Sequence, residues 1–295
     1  MQNMISIKNE YIKIGILEQG AELCSYIDNQ NNREVIWIGD STYWKRHSPV
    51  LFPLVGKIEN GQFKLGKITY NLSAHGFARD KKFQVVHKKS DTVTLELQAD
   101  DETRIGYPFE FKLQVILTLQ VKQLTVTYKV INEKDTDIYF CLGAHPGINV
   151  PTKSGLKYED YKLTFEQEEK SDRHILTPDG FRTGAVTKNW LNGNTINLKE
   201  ELFQDDALIF DDLKSKSLII ESDKGGDKVK IGWNNFPDMG IWKSYNNSPF
   251  VCIEPWNGMA DQVGLNNDFK DKKGVVKLSG ESEFECSFTI ENLIQ

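Results

Sequence analysis

The stretch FEFKLQVILTL, residues 109–119, alternates apolar and polar side chains almost without interruption. Phe109, Phe111, Leu113, Val115, Leu117 and Leu119 take one set of positions, while Glu110, Lys112, Gln114 and Thr118 take the other. Successive side chains of an extended chain point to opposite faces, so a period of two buries its apolar half only as a strand with one face on a core. LTVTYKVIN repeats the pattern with Leu124, Val126, Tyr128 and Val130, and FECSFTI does so near the C-terminus. Segments rich in turn-forming residues fall between such runs: DNQNNRE, ENGQ, VKQ, SDKGGDK and NNSP. Only ADDETRIGYPF and NLKEELFQDD suggest helix, and each is too short for the crossover that a parallel sheet requires. The pattern predicts an all-β chain, a large antiparallel β-sandwich with few short helices. No linker, repeat or composition break divides the 295 residues. Since sandwiches run past about 200 residues as one unit, a single domain over residues 1–295 is expected.

Charge and composition exclude several functions. The net charge is −6 with dispersed basic residues, which argues against nucleic acid as a partner. No apolar run approaches the roughly 18 residues of a membrane span. The first residues, MQNMISIKNEYIKIG, lack the basic and apolar regions of a targeting segment, so a cytoplasmic protein is expected. Cys24, Cys141, Cys252 and Cys286 are widely spaced without a C-x-x-C pair. The last three sit in strand-like runs, which favours buried thiols over disulfides or a metal site.

Chemistry is expected where polar residues interrupt strands that ought to be buried. In PFVCIEPWNG, Glu254 follows mainly apolar residues and shares its face with Phe250 and Cys252. In DIYFCLGAHPGINV, alternation puts Tyr139, Cys141, Gly143 and His145 on one face, with glycine and proline beside the imidazole. LSAHGFARD adds His75 after another strand-like run. Each has two readings, a buried polar group satisfied by neighbours or a group facing a substrate. His47, His87 and His174 lie among polar residues and are expected at the surface. His75, His145 and Glu254 come from distant segments without an i, i+4 pair, so no metal is assigned. There is no G-x-S-x-G elbow, and spacing alone cannot nominate the second acid of a glycosidase. Trp44, Phe77, Trp242 and Trp256 could each pack in the core or offer a face to a sugar ring. Trp256, two residues beyond Glu254, is the foremost candidate for a pocket wall.

The order and context of FPLVGKIENGQF, AHGFARD, GAHPGINV, DDALIF and CIEPWNG resemble the aldose 1-epimerase (galactose mutarotase) family. The resemblance is strongest to its mutarotase-like branch associated with lactose operons and runs from GAELCSY to the C-terminal strand. It implies an antiparallel supersandwich and interconversion of the α and β anomers of free sugars through the open-chain aldehyde, without cofactor or metal. It also implies that Glu254 takes the proton of the anomeric hydroxyl and His145 protonates the ring oxygen. His75 then lies near the ring and hydroxyl oxygens, Asp206 holds sugar hydroxyls, and Lys57 stands where the family has an arginine. A lysine point charge does not reproduce a guanidinium fork. The family's H-G-G becomes His75, Gly76 and Phe77, and N-H-[ST]-Y becomes Ala144, His145, Pro146 and Gly147. Galactose specificity therefore does not carry over.

Opening a hemiacetal removes a proton from O1 and delivers one to the ring oxygen on the same carbon. A glutamate and a histidine of ordinary pKa, about 4.3 and 6.5, suit those roles at neutral pH. Three readings follow: a mutarotase for free hexoses, a hexose-6-phosphate 1-epimerase using Arg79 and Arg46 on the phosphate, or a sugar-binding protein without turnover. All three take a small-molecule sugar as partner.

Overall fold

The computed structural model describes residues 4–265 and 268–293. The alternating runs form the middle of a nine-stranded antiparallel sheet, where Lys112–Gln120 pairs Gln123–Asn132, which pairs Ser282–Leu293. Val115 lies opposite Tyr128 and Tyr128 opposite Cys286, so the apolar halves of three strands stand side by side. All three residues are buried. Thr92–Gln98 and Gln84–Lys88 complete one end of this sheet. Lys228–Asn234, Ser217–Glu221, Lys162–Leu176 and Arg182–Asn197 complete the other. The fully exposed edge strand Gln84–Lys88 carries a register shift between Val85 and His87, a device that discourages further pairing.

A six-stranded sheet holds Leu208–Phe210, Asp238–Trp242, Phe250–Asn257, Leu142–Ala144 and Val50–Leu51 in that order, with Gly147–Asn149 also paired to Phe250–Asn257. Its Val251, Ile253 and Ile241 belong to the same contiguous core as Leu117, Val126 and Phe288 of the larger sheet. A four-stranded N-terminal sheet, Met4–Lys8 to Arg33–Glu34, adds Ile12, Ile14 and Tyr26 to that core. The chain is thus all-β and antiparallel in its named pairings, as the period of two predicts.

The two helical stretches also form. Asp101–Gly106 is capped by Asp100, which exchanges hydrogen bonds with Thr103 in a capping box, and Glu200–Phe203 is a single 3-10 turn. The first alternating strand begins later than expected, at Lys112. Phe109 and Phe111 instead join an aromatic cluster, with ring centres 5.0 and 5.8 Å from that of Tyr107. Cys141, Cys252 and Cys286 are buried free thiols, and Cys24 is half-buried. No helix among the described residues is long and apolar enough to cross a membrane.

His174 corrects the surface expectation. It is only 8% exposed, with Nε2 3.1 Å from an Asp211 oxygen, so a carboxylate just beyond the strand Leu208–Phe210 makes its burial tolerable. The charged neighbours Asp172 and Arg173 conceal this in the sequence. His47 is half-buried, its backbone N–H donating to Glu22, whereas His87 is exposed.

A contiguous core across the sheets makes cooperative unfolding the expected outcome. Urea transitions followed by far-UV circular dichroism and by tryptophan fluorescence should coincide. Two separated transitions would show that the chain divides into independent units.

Candidate active site

Phe250–Asn257 runs through the six-stranded sheet and is buried along its whole length. On one flank, Gly240 lies opposite Glu254 and Trp242 opposite Cys252. On the other flank two short strands share one register, with Gly143 opposite Trp256 and Gly147 opposite Cys252. The interval between them sets His145 opposite Glu254, the placement at which side chains of adjacent strands meet. The contact is direct, with His145 Nε2 3.1 Å from Glu254 Oε2. Pro146 has no N–H to offer the ladder, while its carbonyl accepts the Ile253 N–H at 3.3 Å.

A pocket of about 300 Å³ opens over this pair. Glu254, His145, His75, Asp206, Lys57, Arg79 and Trp256, drawn from both halves of the chain, all line it. Trp44 and Trp242 line it too, the first stacked on His145 at 4.8 Å and 26°, the second edge-on at 5.6 Å and 80°. Gly147 permits this, because a Cβ there would lie 3.0 Å from Trp37 and 3.2 Å from Trp44. Phe77 takes no part in the pocket. It packs against Phe52 and Phe111 in the core. Leu176, Gly180, Ala207, Ile209 and Ala260 complete the wall, and nothing in their local sequence marks them.

Two non-glycine lining residues hold left-handed backbone, His75 at φ 64° and Asp206 at φ 79°. Such conformations cost non-glycine residues roughly 1 kcal/mol or more and persist where the surroundings impose them. For His75 the restraint is visible: its N–H donates to the Gly56 carbonyl at 2.9 Å, and its Nδ1 accepts the Gly56 N–H at 3.3 Å. With Nδ1 accepting, the neutral ring carries its proton on Nε2. Burial first, then Arg79, Lys57 and Arg46, push this imidazole down to about 3, so it is neutral.

Around the rim, Lys57 Nζ donates to the Asp179 carbonyl at 2.5 Å. Arg79 donates to the Ala74 carbonyl at 2.7 Å, and Arg46 meets Asp80 at 2.7 Å. Asp80 is also 3.8 Å from Arg79, so one carboxylate serves both guanidinium groups.

Electrostatics at the centre differ from the sequence expectation of a glutamate and histidine with ordinary pKa values. Burial, then Asp206, push the Glu254 carboxyl well above its ordinary range. Burial, then His75, push His145 well below its own. Both shifts disfavour charge, so the pair favours its neutral forms, with Nε2 and Oε2 in contact at 3.1 Å. Asp206 is raised by burial, with Lys57, the Ala207 N–H and Trp242 opposing. The Cys252 sulphur lies with the His145 and Glu254 donors within 4.8 Å. Its thiol is pushed well up by burial and by Glu254, and so remains protonated.

An antiparallel β-supersandwich with an acid–histidine pair in its pocket defines a class, and comparison with known proteins identifies it. The family model of aldose 1-epimerase matches residues 3–271, and the chain belongs to that family of isomerases. The plasmid-encoded LacX protein of Lactococcus lactis subsp. lactis is 31% identical over 285 residues, covering 93% of this chain and 94% of LacX. A galactose mutarotase-like protein from Lactobacillus casei superposes with a TM-score of 0.93 at 34% identity, over 98% of this chain and 100% of that one. A galactose mutarotase-related enzyme from Lactobacillus acidophilus gives 0.92 at 32%, over 98% and 97%.

The raised Glu254 pKa has a consequence for stability. Below about pH 4.3 the carboxyl is protonated in folded and unfolded chains alike. As pH rises from there through the folded-state value, the unfolded chain releases its proton more readily and stability is lost. Glu254→Gln removes this loss, so its melting temperature should exceed that of the wild type by at least about 2 °C at pH 7. The difference should shrink toward pH 4 when both are followed by scanning calorimetry.

Proposed function

We propose that this chain is a mutarotase interconverting the α and β anomers of a free hexose, with Glu254 and His145 as the proton-transfer pair. The observation that carries this reading is their placement opposite one another in the sheet, 3.1 Å apart, on the wall of a pocket. Two oxygens on one carbon lie closer together than that, so a single anomeric centre can engage both groups. The neutral pair contains one proton that either partner can hold. With it on His145, the carboxylate takes the O1 proton as C1=O1 forms, and the imidazolium gives its proton to the ring oxygen as the C1–O bond breaks. Rotation about C1–C2 and the reverse transfers then close the other anomer.

The remaining roles follow from chemistry. His75, neutral with its proton on Nε2, offers a donor to sugar oxygens. Asp206 accepts from hydroxyls and Lys57 donates to them. Trp44 and Trp242 give apolar surface for the C–H side of the ring. No metal or cofactor has a part in these steps. The free-sugar reading is preferred to the 6-phosphate because Arg46 and Arg79 already engage Asp80 and backbone carbonyls of Arg79 and Ala74, which occupies several of their donors. Galactose heads the panel, since the relatives from Lactobacillus are described as galactose mutarotase-like or related. Four free thiols fit a cytoplasmic location.

Polarimetry of glucose, galactose and their 6-phosphates tests this directly. Wild-type protein should speed equilibration of a free hexose without needing a phosphate, and chelators should leave the rate unchanged. Glu254→Gln and His145→Asn should each lower kcat by at least about 10²-fold, with the double variant little worse than the poorer single one. Methyl glycosides, which lack the O1 proton, should be inert. Binding without acceleration would favour a sugar sensor, and glycoside hydrolysis would favour paired-carboxylate chemistry with Asp206. A strong 6-phosphate preference would favour the phosphate reading.

The same proton pair sets a pH dependence. Activity should fall on the acid side as a second proton enters the pair and on the alkaline side as its one proton is lost. The alkaline limb should lie above the ordinary carboxylate range, because burial and Asp206 raise Glu254, and the acid limb below the ordinary imidazole value, because burial and His75 lower His145. A kcat profile with its alkaline limb near pH 4 would contradict this.

A further inference from the structure

Trp256 is 4% exposed, and its indole N–H is buried without a hydrogen-bond partner. A sugar would find little of its ring face. Two glycines fix where the ring lies. A Cβ on Gly143 would fall 2.7 Å from its Cδ1, and a Cβ on Gly240 would fall 2.2 Å from its Cη2, so both flanking strands are bare where the indole crosses them. Those strands hold the ring on the face of Phe250–Asn257 that also carries Glu254, two residues away. An indole can only donate. The groups facing Glu254 are His145 from the opposite strand, Cys252 on its own strand and Asp206 across the pocket, with His75, Arg79 and Lys57 further round the wall.

We infer that Trp256 is a positioning residue whose indole N–H hydrogen-bonds Glu254 once that carboxyl ionises, and so holds it in the proton-accepting form. In its neutral form the carboxyl turns one oxygen to His145, and the indole N–H has no partner. A buried donor without an acceptor costs roughly 1–3 kcal/mol, and ionisation makes the Glu254 oxygens far stronger acceptors for it. The proton then passes to His145, which arms the pair as base and acid. The influence of the Trp256 indole on the carboxyl is in this direction, opposing burial. The inference rests on the proton-transfer role proposed for Glu254, and it moves the sugar-facing surface to the half-buried Trp44 and Trp242.

Trp256→Phe keeps a ring and removes the N–H. The Glu254 carboxyl can be titrated by ¹³C NMR of glutamate-labelled protein, with Glu254→Gln identifying its resonance. In Trp256→Phe the midpoint should move up by about 1 pH unit, and the alkaline limb of kcat should move with it while KM changes little. An unmoved midpoint, or a raised KM with the alkaline limb in place, would overturn the inference in favour of a simple wall. If the phenylalanine variant does not fold, ¹⁵N spectra of the six indoles of wild-type protein decide. One indole N–H should titrate with Glu254 and become pH-independent in Glu254→Gln, and titration of none would overturn the inference. Should wild-type protein equilibrate no sugar, the proposed activity fails while the NMR titrations still test the hydrogen bond.

Discussion

The arrangement depends on one register. Leu142–Ala144 and Gly147–Asn149 meet the same buried strand without a slip between them, so His145 comes to face Glu254. A shift of one residue would turn the imidazole to the other side of the sheet. The register is held by groups that have nowhere else to go: Val251 and Ile253 in the main core, Phe250 and Cys252 in a second cluster with Trp37. Glu254 follows on the side of that second cluster. The carboxyl is therefore buried because its strand must be.

Burial determines how the site can work. Away from water both members of the pair favour their neutral forms, and the cost of separating charge falls on whichever step creates it. The surroundings maintain this water-poor setting. Trp44 stacks on His145 and Trp242 closes its edge, which limits water at the imidazole. Asp206 across the pocket opposes ionisation of Glu254, while Lys57 favours the ionised form of Asp206 itself. Lys243, itself buried, ion-pairs with Glu200 and anchors the segment that follows Trp242.

Much of the fold was legible because its strands are half-buried. Leu113 to Leu119 and Leu124 to Val130 obey a period of two that a core on one face imposes. The central strand was legible for another reason: a carboxylate after five mainly apolar residues contradicts its setting, and Glu254 stands out. His145 stands out beside glycine and proline. Asp206 and Lys57 carry no such contrast, since both lie in irregular segments, and only the family resemblance points to them. Trp44 and Trp242 could not be placed on His145 because their contacts join separate loops and strands. His174 misleads for the opposite reason, as its charged neighbours suggest a surface that Asp211 makes unnecessary.

The family assignment stands on similarity along the whole chain, and the chemistry stands on the facing pair. A crystal structure with galactose or glucose bound tests that pair most directly. The account predicts C1 above His145 and Glu254, with O1 within hydrogen-bond reach of the carboxylate and the ring oxygen within reach of Nε2. A sugar seated with its reducing end away from both residues, or bound outside this pocket, would contradict it.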